Sequence, residues 1–317
     1  MMFSPIYVLF SLLYLPGVTA WGVLGHDTTA WVASHFVSEA TAEYLKDLLH
    51  NHDEDYLASI ATWADRPGNS RRTDHFIDAH DDLANGNCNV NYARDCKQEG
   101  CVISALAEYT EQALAPATGN GGINQAVKLL VHFIGDLHQP LHNEDVAQGG
   151  TQFHVRWESS DRTLHKVWDT QIAEKLTEEL GGRPADRASR WADQLARKIT
   201  DGEFADQRRE WLKYLDVRNP NGTAMIWSQE TNKLVCSNGE NRRYMLFYSL
   251  ELLLIYMFSV FPRGFGPDQI RGKELSENYY DQAWPVIERQ VARAGYRMAA
   301  WLDAVAEQIN GRGQGEL

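Results

Sequence analysis

The 317-residue chain is short of positive charge: 30 Lys and Arg stand against 43 Asp and Glu, a formal net charge of −13. Domains that coat nucleic acid by bulk electrostatics are usually basic, so that class is excluded. A nucleic-acid substrate held through metal ions is not. Alternating β patterns are brief, Phe153–Trp157 being the best of them, and the chain has no internal repeat and no domain-scale linker. These absences leave a single, mainly α domain. At 44% hydrophobic residues the chain can pack a core, which excludes a wholly disordered polymer.

Charge is missing altogether from residues 1–20, MMFSPIYVLFSLLYLPGVTA. The apolar run Ile6–Leu15 is short for a membrane span and closes on Val18-Thr19-Ala20, small residues at the positions a signal peptidase reads. Despite the missing basic n-region, the expectation is a signal peptide over 1–20, cleavage before Trp21, and a secreted, extracellular domain over 21–317. In an oxidising compartment the four cysteines, Cys88, Cys96, Cys101 and Cys236, read as two disulfides rather than a thiolate metal site. Three pairings are open. Cys96 and Cys101 are near enough to close a small loop, which leaves Cys88 with Cys236. Asn221-Gly222-Thr223 is the sole N-x-S/T acceptor and reads as a glycosylation site at Asn221.

Helical periodicity recurs along the chain. Ala126, Leu129, Leu130, Phe133, Ile134 and Leu137 mark one apolar face that Pro140 terminates. Leu164, Val167, Trp168, Ile172 and Leu176 mark a second, and Leu57, Ile60, Ala61 and Ala64 a shorter one ending at Asp65. A last face runs from Ile287 to Val305. Tyr244–Phe261, YMLFYSLELLLIYMFSVF, fits none of this, since Glu251 is its one charge in 18 residues. It reads as a transmembrane helix, a buried core helix or translated intron sequence.

Eleven histidines carry the chemistry by their placement. His132 and Asp136 lie four apart and share a helix face distinct from the apolar stripe, and His165 and Asp169 repeat the spacing. His142 follows the Pro140 break, Asp65 and His75 flank a short loop, and His26 lies close behind the expected mature start. Imidazole nitrogen with carboxylate oxygen suits Zn²⁺ without cysteine. A lone pair of this kind is ordinarily a solvated contact. Five histidines and three aspartates in four clusters point instead to a multi-metal site.

The motifs themselves are informative. Trp21-Gly-Val-Leu-Gly-His26, WAD at Trp63–Asp65, HFIDA at His75–Ala79, HFIGDLHQPLH at His132–His142 and LHKVWDT at Leu164–Thr170 occur in order. Together they resemble the secreted zinc-dependent single-strand-specific nucleases of fungi and plants, the S-one/P-one type. The resemblance runs from Trp21 to about Cys236 and resumes near Lys273, through Tyr279–Asp281 and Gly295–Leu302. It implies a helical domain like that of zinc phospholipase C, both disulfides as paired above, and three zinc ions. One ion would be held by Asp65, His75, His132 and Asp136. A second would be held by Asp136, His26 and the amine and carbonyl of Trp21; the third by His142, His165 and Asp169. The resemblance further implies that paired zincs turn a water into the nucleophile, that Asp65 orients it, and that the third zinc neutralises the departing 3′ oxygen. Phe76 would stack on an unpaired base and Asp78 would hydrogen-bond to it. The implied substrates are single-stranded DNA and RNA and 3′-nucleotides, and the products 5′-phosphorylated; the expectation for the protein is a monomer without a protein partner.

Four features depart from that pattern. The Asp65–His75 segment is about five residues shorter than the resemblance leads one to expect. Gly68 replaces an arginine whose charge Arg66, Arg71 or Arg72 would have to supply, and Gln148 stands where a small apolar residue usually lines the base pocket. Fourth, residues 237–272 form an anomalous hydrophobic insert, best read as an unspliced intron. His35 and His154 read as structural, His50 and His52 as solvated, and His80 and His138 at most as neighbours of ligands. The rival readings are a zinc phospholipase C, disfavoured by HFIDA and HFIGDLHQPLH, and a non-catalytic zinc-binding protein, disfavoured by the intact ligand set.

Overall fold

The computed structural model of the protein describes residues 21–83, 87–115, 120–236, 260–261 and 267–313. The expected signal peptide and most of the apolar stretch Tyr244–Phe261 lie outside them. In order the helices are α1 (Val23–Phe36), α2 (Glu39–Leu49), α3 (Tyr92–Asp95), α4 (Val102–Leu114), α5 (Asn120–Leu137), α6 (Leu164–Lys166), α7 (Ile172–Leu176), α8 (Pro184–Thr200), α9 (Arg208–Trp211), α10 (Pro220–Asn232), α11 (Pro267–Ile270) and α12 (Asn278–Gly313). Strands β1 (His154–Trp157) and β2 (Ser160–Thr163) form an antiparallel hairpin, Trp157 opposite Ser160. The all-α expectation with minor β stands.

Helix α5 is the axis of the molecule. Leu129, Leu130, Phe133, Ile134 and Leu137 are fully buried, as their stripe predicts, and α4, α1 and α12 pack around it. Pro140, lacking an N–H, starts a new 3-10 turn (Pro140–Asn143) whose first N–H is taken by the Gln139 side chain. Helix α1 lies between α8 and α12 and serves both apolar cores, one around α4 and α5, the other around Trp168, α8 and the start of α12.

Two predicted helices differ in winding. The Leu57–Asp65 segment is a pair of 3-10 turns, Ala58–Ile60 and Trp63–Asp65. Pro67 accounts for its end, because the residue before a proline is forced out of the helical region and Arg66 is extended (φ −72°, ψ 135°). The Leu164–Leu176 helix forms, with Val167–Gln171 wound as a π turn between α6 and α7. Such turns occur often at functional sites, and this one contains Asp169.

Both disulfides are present: Cys96–Cys101 and Cys88–Cys236. Within residues 237–272, the structure describes 260–261 and 267–272. Val260, Phe261 and Ile270 are buried in the core, and the Val260 N–H donates to the Leu234 carbonyl at 2.7 Å. Among the described residues no helix is long and apolar enough to cross a membrane.

Candidate metal centre

On α5 the four-residue spacing stacks His132 and Asp136 on one face, both fully buried. Three elements converge there. Helix α1 brings His26, the turn Trp63–Asp65 brings Asp65, and the 3-10 turn Arg72–His75 brings His75. Asp136 is the hub. Its Oδ1 faces His26 Nε2 at 3.2 Å, and its Oδ2 lies 3.0 Å from His75 Nδ1 and 3.3 Å from His132 Nε2. Asp65 Oδ1 is 3.5 Å from His132 Nε2 and 4.0 Å from His75 Nδ1. The His26 and His132 rings stack with centroids 4.0 Å apart.

Close approach of α1 to α5 depends on Gly135. A Cβ there would sit 2.9 Å from His26 Nδ1, below any normal contact. Gly135→Ala is expected to push His26 out of line and cost about 1–3 kcal/mol of stability. Urea unfolding, with metal content measured alongside, checks it.

A second group lies past the α5 terminus: His142, His165 and Asp169 offer donor atoms within 4.8 Å of one another. His165 Nε2 is 3.0 Å from Asp169 Oδ2, and the two imidazoles stack at 5.0 Å. Backbone carbonyls hold the rings. The Nδ1–H of His132, His142 and His165 donates to Ala61, His75 and Gly149 respectively, at 2.6–2.7 Å. His75 is held through its other nitrogen: Nε2 bonds Ser70 Oγ at 2.7 Å, and Ser70 in turn donates to the Ala64 carbonyl. Each ring thereby presents its remaining nitrogen to the group it belongs to. Gln139 does the same for Asp169, donating to Oδ1 at 2.5 Å.

The donor set fits cations. His26 Nε2, His142 Nε2, Asp65 Oδ1, Asp136 Oδ1 and Asp169 Oδ2 are buried without a hydrogen-bond partner, which is costly unless something else satisfies them. Burial works to raise the Asp136 pKa, yet His132, His26 and His75 hold it well below the carboxylate range. Burial likewise works to lower that of His132, but Asp136 and Asp65 hold it up at about 9. Burial, with His165 beside it, pushes His142 down to about 4, so this ring is neutral and able to ligate. A charged carboxylate at the bottom of a buried histidine cluster is the environment a bound cation stabilises. A third cluster, Asp81, Cys88 and Glu144, lacks this capacity because the Cys88 sulfur is bonded to Cys236.

A cleft of about 470 Å³ opens beside the second group. His165 lines one part of it, Phe76 and Asp78 another, with Gln148 on the wall and Arg72 and Lys97 among its lining residues. The segment carrying Phe76 is fixed by Ile77 N–H to the His142 carbonyl (2.8 Å) and Val102 N–H to the Phe76 carbonyl (3.0 Å). Burial, then Asp145, raises the Asp78 pKa, against Lys97, His80 and Arg72.

Comparison with known proteins agrees with this geometry. A family model of S1/P1 Nuclease matches residues 21–307. The chain belongs to the S1/P1 nuclease family. It is 37% identical to Nuclease S1 of Aspergillus oryzae over 293 residues, 91% of this chain and 92% of that protein. It is 36% identical to Nuclease P1 of Penicillium citrinum over 290 residues (90% and 97%). With Endonuclease 2 of Arabidopsis thaliana the identity is 27% over 309 residues, 93% of each. Membership of the S1/P1 nuclease family makes the chain a metal-dependent hydrolase of phosphodiester bonds and a single-strand-specific nuclease, with nucleic acid as substrate.

Eight of the nine expected ligand residues gather in the two groups, and Trp21 is fully buried beside them. Its indole packs against Gly25, where a Cβ would sit 2.9 Å from Trp21 Cβ. The next N–H, that of Gly22, donates to the Asp169 carbonyl at 2.7 Å. His35 and His154 pair with Asp193 and Asp161 at the surface. His50 caps α2 in the left-handed region and His52 is exposed beside Asp47. His138 receives Arg297 rather than reaching the metal groups. Sequence reasoning missed Gln139 as the partner of Asp169, although it lies inside the HFIGDLHQPLH motif. It missed Lys97 too, whose signal was its place next to Cys96 in the disulfide loop.

Proposed function

We propose that this S1/P1-family chain is a secreted zinc nuclease and 3′-nucleotidase that cuts single-stranded DNA and RNA to 5′-phosphorylated products. The carrying observation is the convergence of buried, partnerless nitrogen and oxygen donors on two adjoining points. One zinc would be held by Asp65, His75, His132 and Asp136, a second by Asp136, His26 and the Trp21 amine and carbonyl, and a third by His142, His165 and Asp169. When bound, such ions supply Lewis-acid polarisation, a nucleophile from water at mild pH and compensation of charge on the 3′ leaving oxygen.

The chain's own residues do the rest. Asp65, at 15% the most exposed carboxylate of its group, orients the attacking water. The half-buried Phe76 ring stacks on a base, and Asp78 accepts a hydrogen bond from its edge. A duplex keeps its bases paired and stacked, so only a single strand delivers one to this cleft. Asn221 is exposed in the first turn of α10, where it would carry a glycan. The working form is a monomer. Metal analysis of the purified secreted protein tests the ion assignment: three zinc per chain are expected, and two or fewer at full activity would contradict it.

The insert is the remaining proposal. Joining Cys236 to Ser259 would turn the Val260 N–H to Leu234 carbonyl bond into an ordinary i→i+4 turn. On this reading residues 237–258, the larger part of the 237–272 insert, are dispensable, as an unspliced intron would be. Their deletion is expected to leave thermal stability and nuclease activity within about twofold of the full chain (a change of roughly 0.4 kcal/mol or less), measured by melting and oligonucleotide hydrolysis. Sequencing the transcript across Cys236–Lys273 gives the independent check.

A further inference from the structure

A phosphate flanking the metal groups would be favoured by a cation of the protein, and three arginines precede His75. Arg71 is committed elsewhere: its Nε bonds Asp74 at 2.9 Å and its Nη2 bonds Glu108 at 2.6 Å. Arg66 does not line the cleft; it lies near Lys128, whose pKa is lowered by burial and then by Arg66. Gly68 carries no side chain, with open space around it. Arg72 is different. It lines the cleft with Phe76, Asp78 and His165, and its guanidinium makes no hydrogen bond or ion pair with the described residues.

Its backbone is held firmly although its side chain is free. The turn Arg72–His75 ends in a buried histidine of the metal group. Within it, Thr73 Oγ1 donates to the Glu99 carbonyl at 3.1 Å, tying the turn to the loop closed by Cys96–Cys101. That loop carries Lys97 to the same cleft. The two carboxylates of the cleft, Asp78 and Asp145, form no ion pair with Arg72, and Asp145 has His80 at 3.5 Å.

Resting on the nuclease reading above, we propose that Arg72 is the phosphate-binding arginine of this chain. It grips a backbone phosphate flanking the nucleotide whose base lies on Phe76, with Lys97 as the second cation of the rim. Arg72 thus supplies, from the other end of the shortened segment, the charge that Gly68 cannot.

The test is steady-state hydrolysis of single-stranded oligonucleotides by the full, zinc-loaded chain and its variants across a salt series. Arg72→Ala is expected to raise KM about tenfold with kcat changed less than threefold. The slope of log(kcat/KM) against log salt should fall in magnitude by about 0.7, the value for one lost phosphate contact on a single strand. Arg72→Lys should restore that slope, and Arg66→Ala should match the parent. A neutral methylphosphonate at the gripped linkage should abolish the difference between parent and Arg72→Ala. Unchanged KM and slope in Arg72→Ala, or an equal loss in Arg66→Ala, overturns the assignment while leaving the nuclease reading intact. An inactive parent chain overturns both.

Discussion

Asp136→Asn is expected to lower kcat/KM on single-stranded DNA by at least about a thousandfold, roughly 4 kcal/mol of transition-state stabilisation. Both carboxylate oxygens face histidines, Oδ1 His26 and Oδ2 His75 and His132. An amide offers one oxygen and an NH₂ that cannot ligate, so whichever way it turns one side of the centre loses a donor. The substitution also removes the negative charge beside His132, whose pKa it raises. Metal analysis should show the loss directly.

The same variant has a signature in chelated protein. His132 has a folded pKa of about 9, held above its ordinary value of 6.5 by Asp136 and Asp65 against the opposing effect of burial. A raised histidine pKa stabilises the fold fully below pH 6.5 and loses that contribution as the pH climbs through 9. Urea unfolding of metal-free parent protein should therefore show a decline over that window that Asp136→Asn lacks. A parallel pH dependence in both proteins would contradict the pairing.

A chain that keeps even one residue ahead of Trp21 is expected to bind one zinc fewer and to lose more than about 100-fold in activity, the scale on which a missing metal contact is felt. An α-amine can ligate only when it is free. Trp21 is fully buried, and the Gly22 N–H bond to the Asp169 carbonyl holds the start of α1 against the second group. Cleavage after Ala20 would thus switch the enzyme on as well as release it. Expressing the domain with and without an added amino-terminal alanine, with metal content and hydrolysis measured on both, checks this. Equal zinc in the two would remove Trp21 from the ligand set.

Much of the site was legible because its chemistry is local in sequence. His132 with Asp136 and His165 with Asp169 lie one helical turn apart, and a four-residue spacing fixes their shared face before any fold is known. The clustering of these pairs with His26, Asp65, His75 and His142 came from motif order, since no spacing rule joins residues so far apart in the chain. Winding was less legible. Pro67 marked where the Leu57–Asp65 segment ends but not its 3-10 winding, and the π turn holding Asp169 leaves no mark in an apolar stripe. Which arginine is free was illegible, because it depends on the partners Asp74 and Glu108 that tertiary packing gives to Arg71.

Hydrolysis of matched single-stranded and duplex DNA by the purified chain, with and without chelator and then with zinc restored, tests the central claim most directly. The expected result is 5′-phosphorylated products, formed much faster on the single strand, abolished by chelation and recovered on adding zinc. Cleavage that survives complete removal of metal, or none at all with the zinc sites filled, would contradict it.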